Sequence, residues 1–237
     1  MNQNVPEECS RVEIPNMKEY VNNLTSEALY DLISREGGVI RWANNPTREM
    51  QICAIKQNPI NVAYIKNPTE EILLFAVRLN GLAIRYIDNP SEQVMLAALD
   101  NYAGTIRYIK NPTKKVQMRA TTKDLNNLEL IENPDIDIVM TVITISPHHI
   151  KYVKNQTAEM IMTAVTRNPG SIIHTKNPPN EAVMIALKHD CSLIKHIEFP
   201  SEEAQIYVLK NDPKSVALIR NICETNNELL IAKLTYA

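Results

Sequence analysis

A cationic residue followed by an aromatic one returns along this chain at a fixed interval. Arg41-Trp42, Arg85-Tyr86, Arg107-Tyr108 and Lys151-Tyr152 fall in the same two columns of a 22-residue register, which Tyr64 and Lys195 each extend in one column. A cation beside a ring is recognition chemistry rather than catalytic chemistry. A guanidinium or ammonium pairs with carboxylates or phosphates, while the ring offers flat apolar area with a polar tip. The ring column continues as His174 and His196. Two readings of it stay open from sequence: rings that face a partner, and rings that pack sideways between repeats with their hydroxyls in water.

No other residue set reads as an active site. No Ser, Cys or carboxylate pair stands in a recognisable nucleophile or acid–base pattern. His148 and His149 are adjacent and diverge on a helix. His174 and His196 are one repeat apart, and a spacing of ~8–10 Å suits no shared zinc at ~2.1 Å. Cys9, Cys53, Cys191 and Cys223 are scattered without a Cys-x-x-Cys pair, so they read as reduced thiols rather than metal ligands or a disulfide framework. The expectation is therefore a non-enzyme with no cofactor and no metal.

Bulk properties narrow the partner. A net charge of −2 lacks the global attraction that nucleic-acid binders and anionic-membrane binders carry. A hydrophobic fraction of 44% with 22% charge is ordinary for a soluble chain. The first residues carry Glu7, Glu8 and Glu13 without an apolar core, unlike a secretory signal. No apolar run approaches the ~20 residues that span a bilayer. The expected location is the cytoplasm, with no membrane association.

The elements that must hold the columns are written in the same register. Nine units begin at Asn23, Asn45, Asn67, Asn89, Asn111, Asn133, Asn155, Asn177 and Phe199. The reading has three parts: an irregular segment and half-repeat cap at 1–22, the repeats at 23–220, and a capping helix at 221–237. Position 3 of each unit is mostly Thr or Ser (Thr47, Thr69, Ser91), often with Glu in the turn that follows, which is a helix start with its dipole complemented. A second start signal, Asn58-Pro59 or Asp212-Pro213, falls at positions 14 and 15, with Gly37 or Gly81 making the turn where Pro is absent. The spacing predicts a first helix over positions 4–13 and a second over 16–22.

Aliphatic residues fill position 18 throughout, from Ile40 to Val216, and Ala recurs at position 10. The apolar arc of the first helix is too wide for a single packed face, so it must be sandwiched between neighbours. Helices this short are marginal alone and are held by stacking. The expected fold is all-α: a right-handed two-layer α-solenoid of nine helix-turn-helix repeats with terminal caps. The unit at 111–132 departs most, with Arg119, Thr121, Asp124 and Asn126, as a change of curvature or a weaker repeat. The Asn at position 1 reads as a corner residue rather than a functional one.

The stretch at 67–87, Asn-Pro-Thr-Glu-Glu-Ile followed by Ala-Val, Asn-Gly and Ile-Arg-Tyr-Ile, resembles short two-helix repeats of unknown function in bacterial, phage and large-virus proteins. More remotely it is similar to HEAT and leucine-rich-repeat-variant solenoids. The resemblance covers nearly the whole chain and implies a scaffold that holds partners. A phage- or virus-encoded factor sequestering a host protein in the host cytoplasm is a subsidiary implication.

The functional expectation is a protein-binding scaffold using Arg41, Trp42, Tyr64, Arg85, Tyr86, Arg107, Tyr108, Lys151, Tyr152 and Lys195. The alternative is nucleic-acid binding along the same stripe, with phosphates on the cations and bases on the rings. Self-association through an imperfectly capped end is a third reading.

Overall fold

The structure, a computed structural model, describes residues 16–224 and 226–236. The irregular segment expected at 1–14 lies outside the described residues. Within them every regular element is helical, and two kinds alternate: α-helices and short 3-10 helices, denoted η. The chain divides into two compact units, Met1–Ile109 and Lys110–Ala237.

In the first unit the order is α1 (Met17–Asn23), α2 (Ser26–Arg35), η1 (Gly37–Trp42), α3 (Arg48–Gln57), η2 (Pro59–Tyr64), α4 (Glu70–Leu79), η3 (Gly81–Tyr86), α5 (Glu92–Asn101) and η4 (Ala103–Tyr108). In the second it is α6 (Lys114–Lys123), η5 (Leu125–Leu130), α7 (Ile136–Ile145), η6 (Pro147–Tyr152), α8 (Ala158–Arg167), η7 (Pro169–His174), α9 (Asn180–His189), η8 (Cys191–His196), α10 (Glu202–Asn211), η9 (Pro213–Leu218) and α11 (Asn227–Tyr236).

From α2 to α10 each α-helix occupies positions 4–13, as the spacing predicts. The capping chemistry is visible at its start. Thr25, Thr47, Ser91, Thr113, Thr157 and Ser201 each accept the backbone N–H three residues on, and Asp135 accepts that of Asp137. Each such oxygen satisfies one of the donors a helix start leaves open.

The second element differs from expectation. It is not an α-helix over 16–22 but a six-residue 3-10 helix over positions 15–20, with position 21 extended. Its bonds run three residues back, as from Ile65 N–H to the Val62 carbonyl and from Ile109 N–H to the Ile106 carbonyl. Three residues per turn align positions 15, 18 and 21 on one line, so a short element can bury a full stripe. Ile40, Val62, Ile84, Ile106, Leu128, Ile150, Ile172, Ile194 and Val216 are all buried. Position 17, which the α-helical expectation did not mark, is also buried at Asn61, Thr105, Asn127, His149, Ser171 and Ser215.

Within each unit the elements form two layers. In the first unit, α2 to α5 pack in order, η1 to η4 pack in order, and each η packs on its preceding α-helix. The same holds for α6 to α11 and for η5 to η9 in the second. Helix α1 lies against η1, taking the place of a preceding half-repeat in that layer. Ala54, Ala76, Ala98, Ala120, Ala164 and Ala186 are buried, so the α layer closes on methyl groups.

Side-chain amides join one strip of the stack to the next. Gln57 accepts the Gly37 N–H and donates to the Ile33 carbonyl, and Asn101 treats Gly81 and Arg78 the same way. Asn22 pairs with the Trp42 carbonyl and the Asn44 N–H, and Gln156 with the His174 carbonyl and the Lys176 N–H. Buried Gln205 donates to the Pro200 and Asn221 carbonyls and accepts the Cys223 N–H. Extended linkers and 3-10 ends leave peptide groups unpaired, and a carboxamide supplies one donor and one acceptor face together.

Three other expectations gain physical reasons. Asn67, Asn89, Asn111 and Asn177 have φ of 50, 48, 51 and 48°, a left-handed corner that Asn tolerates. Gly37 and Gly81 are required by space rather than by φ: a Cβ at Gly81 would stand 2.6 Å from the Ala98 carbonyl oxygen. The polar unit at 111–132 is internally satisfied. Thr121 donates to the Gln117 carbonyl, Asn127 to that of Ala120, and Gln117 accepts the Asp135 N–H.

At the C-terminus Asn226 caps α11 by accepting the Leu229 N–H. Leu229 is buried and Ile231 is 65% exposed.

Candidate functional site

In the first unit η1, η3 and η4 end on a cation and a ring and η2 on Tyr64 alone, which places these side chains beside solvent. Arg41, Arg85 and Arg107 are exposed, Tyr64 and Tyr86 are exposed, and Trp42 and Tyr108 are half-buried. The arginines do not point straight out. The Arg41 guanidinium lies 3.9 Å from the centre of the Tyr64 ring and 5.4 Å from that of Trp42. Arg85 lies 5.6 Å from the Tyr108 ring and 5.9 Å from that of Tyr86. Each guanidinium thus bridges its own ring and the equivalent ring of the following repeat. Arg41 also donates to the Gly38 carbonyl, which fixes its direction. Tyr86 and Arg107 are exposed on successive η helices, while Ala63 leaves the cation column empty beside Tyr64.

Tyr64 and Tyr108 meet the guanidinium of the preceding repeat, while Trp42 and Tyr86 meet only that of their own, and all four rings still present area to water. A guanidinium held by stacking loses less rotamer freedom on meeting a partner, because part of its ordering is already done.

The second unit places Lys151, Tyr152 and Lys195 on the corresponding face of η6 and η8. Lys151 and Lys195 are exposed and Tyr152 is half-buried. The Lys151 ammonium lies 4.7 Å from the Tyr152 ring centre. Next to Tyr152 is a surface cavity of about 390 Å³, lined among others by Glu129, Glu132, Ile136, Lys154 and Met160. Sequence reading gave no sign of it, since its walls come from two successive repeat corners.

Histidines are concentrated here. His149 is buried, and neither ring nitrogen has a hydrogen-bond partner. Its ring sits 4.5 Å from that of His148 and 5.6 Å edge-on to Tyr152. Burial, followed by the nearby His148, pushes its pKa below the ordinary histidine value. His174 is lowered by burial and then by Lys151, His148 and His196, and His196 by burial and then by Lys195 and Arg220. Burial raises the Cys191 thiol.

Among the described residues no group of three or more His, Cys, Asp or Glu side chains is placed to hold a metal ion. No helix among them is long and apolar enough to cross a membrane. No protein-family model, curated protein or solved structure matches this chain.

Proposed function

We propose that this chain is a non-enzymatic scaffold that binds another protein through its exposed cation–ring stripe. In this reading the alternating α and η layers are a right-handed α-solenoid of nine repeats with terminal caps. The observation that carries it is the stacking of Arg41 on Tyr64 and of Arg85 on Tyr108, which orders large amphipathic side chains on a solvent-facing surface. Aromatic and Arg residues dominate protein interfaces because they bring area and hydrogen bonds at low entropic cost. By its resemblance to phage and large-virus repeats, the partner is a host protein sequestered in the cytoplasm.

The test is a pull-down comparing wild type with a Tyr86→Ala, Tyr108→Ala, Arg107→Glu triple variant. The expected result is loss of the specifically recovered protein with the helical circular-dichroism signal intact. Unchanged recovery from a folded variant removes the stripe from consideration. Nucleic-acid binding is the competing outcome. It predicts retention of single strands at low salt that falls steeply as salt rises. Glu129 interrupting the cation column and the net charge of −2 count against it.

A further inference from the structure

The stripe of the second unit differs in chemistry from that of the first. From η6 to η8 the ring column runs Tyr152, His174, His196, while Lys151 and Lys195 stand in the cation column. The elements packed on η7 are α8, α9, η6 and η8. The charged or titratable groups they turn toward His174 are Lys151 and His148 of η6 and His196 of η8. His196 is faced by Lys195 of its own helix and by Arg220, which follows η9. All of these are cations or become cations. Among the carboxylates nearby, Asp190 lies toward Lys195 but accepts the Ser192 N–H at the start of η8, Asp124 lies toward the buried His149, and Glu129 and Glu132 line the cavity on the far side of Tyr152 from η7.

We infer that the η6–η8 face of the second unit, built from Lys151, Tyr152, His174, Lys195 and His196, docks an acidic peptide segment of a protein partner. The inference rests on the protein-binding reading above and supplies the partner's chemistry. Charge complementarity selects an anion, since exposed Lys151 and Lys195 flank the middle repeat, whose cation column holds Ile173, and the charges acting on His174 and His196 include no carboxylate. Spacing selects an extended peptide. Packed elements ~8–10 Å apart match every third residue of a strand rising ~3.3 Å per residue. A nucleic-acid strand fits less well, because the chain's net charge of −2 lacks the global attraction that nucleic-acid binders carry. Protonation of His174 and His196, whose pKa values lie below the ordinary histidine value, adds charge to the face, so affinity rises as pH falls below that ordinary value.

The experiment is fluorescence anisotropy of the full chain with a labelled Glu-rich peptide at about pH 7.5 and about pH 5.8, on either side of the histidine range. A Lys-rich peptide and a dT oligonucleotide serve as probes of the other classes. The wild type should bind the Glu-rich peptide about tenfold more tightly at the lower pH, a difference of ~1.4 kcal/mol. His174→Asn with His196→Asn should cut that gain to under about twofold, as expected for loss of the two titrating groups. Lys195→Gln, at an exposed site, should weaken binding already at the higher pH, where acid unfolding plays no part.

No binding of the Glu-rich peptide at either pH overturns the inference. So does a pH gain retained in the double variant, which assigns it to bulk charge, or tighter binding of the oligonucleotide. If the peptide fails while the Tyr86, Tyr108, Arg107 triple variant still loses its partner, the protein-binding reading stands and this one falls.

Discussion

Arg41, with its guanidinium stacked between Trp42 and Tyr64, shows how one side chain serves both the fold and the surface. Other residues at this scale are purely structural and give direct tests. Gly81→Ala places a methyl against the Ala98 carbonyl, backbone that cannot swing away. It should cost about 1–3 kcal/mol by overpacking. Gly38→Ala, where the nearest atom is the flexible Arg41 side chain at 3.7 Å, should stay within about 0.5 kcal/mol. Urea midpoints of the two variants measure the contrast. His149 sets a pH dependence. Its folded pKa lies below 6.5 because burial disfavours the charged ring. The unfolded chain takes up the proton at about pH 6.5, so stability is full above that value and drains as pH falls through it toward the lower folded value. His149→Leu should flatten the decline in urea midpoint between about pH 7.5 and 5.5. A decline as steep as wild type would assign the effect elsewhere, with His174 and His196 next in line. The burial of His149 was not legible in sequence, where His148 and His149 read only as adjacent residues diverging on a helix until the 3-10 geometry turns position 17 inward.

At the scale of elements, the first helix of each repeat was readable to its ends. Thr47 or Ser91 at the cap and Asn58 or Asn80 after the last turn fix its ends through local hydrogen bonds. The second element was located but mistyped. Six residues between a Pro or Gly and an extended linker give too few turns for an apolar stripe to separate three residues per turn from the α-helical value. The amide clamps were invisible for another reason. Gln57 and Asn101 share position 13 and Gln117 and Gln205 share position 7, while Asn22 and Gln156 stand elsewhere in the register, and only the folded stack brings each to its unpaired peptide groups. Gln205→Leu should therefore cost about 1–3 kcal/mol despite keeping an apolar stem, because buried donors and acceptors lose their partner. Equilibrium denaturation of this variant beside Gln93→Leu, an exposed position, checks the prediction.

For the molecule as a whole, stacked repeats within a unit share a continuous apolar core, which in the second unit runs from Leu128 to Ala232, and small ties between repeats add to it. The side chain at position 4 reaches the first turn of the following repeat in Arg48–Glu71, Lys114–Asp137 and Asn180–Glu203. These ties are exposed, and exposed pairs contribute about 0–1 kcal/mol each. Raising sodium chloride from 0.1 to about 1 M should thus shift the unfolding free energy by less than about 1–2 kcal/mol, since the buried stripe is untouched by screening. A larger fall would give the ion pairs a dominant role.

The sequence by itself determined the period, the helical class, the caps of the α layer and the Asn corners. Each depends on chemistry within a few residues, repeated often enough to be read. The tertiary structure alone decided the 3-10 layer, the buried polar column at position 17, the carboxamide clamps and the stacking of Arg41 and Arg85 on the next repeat's ring. Those contacts join residues some 20 positions apart, as Arg41 meets Tyr64 and Gly37 meets Gln57, and no local propensity encodes which side chains meet there.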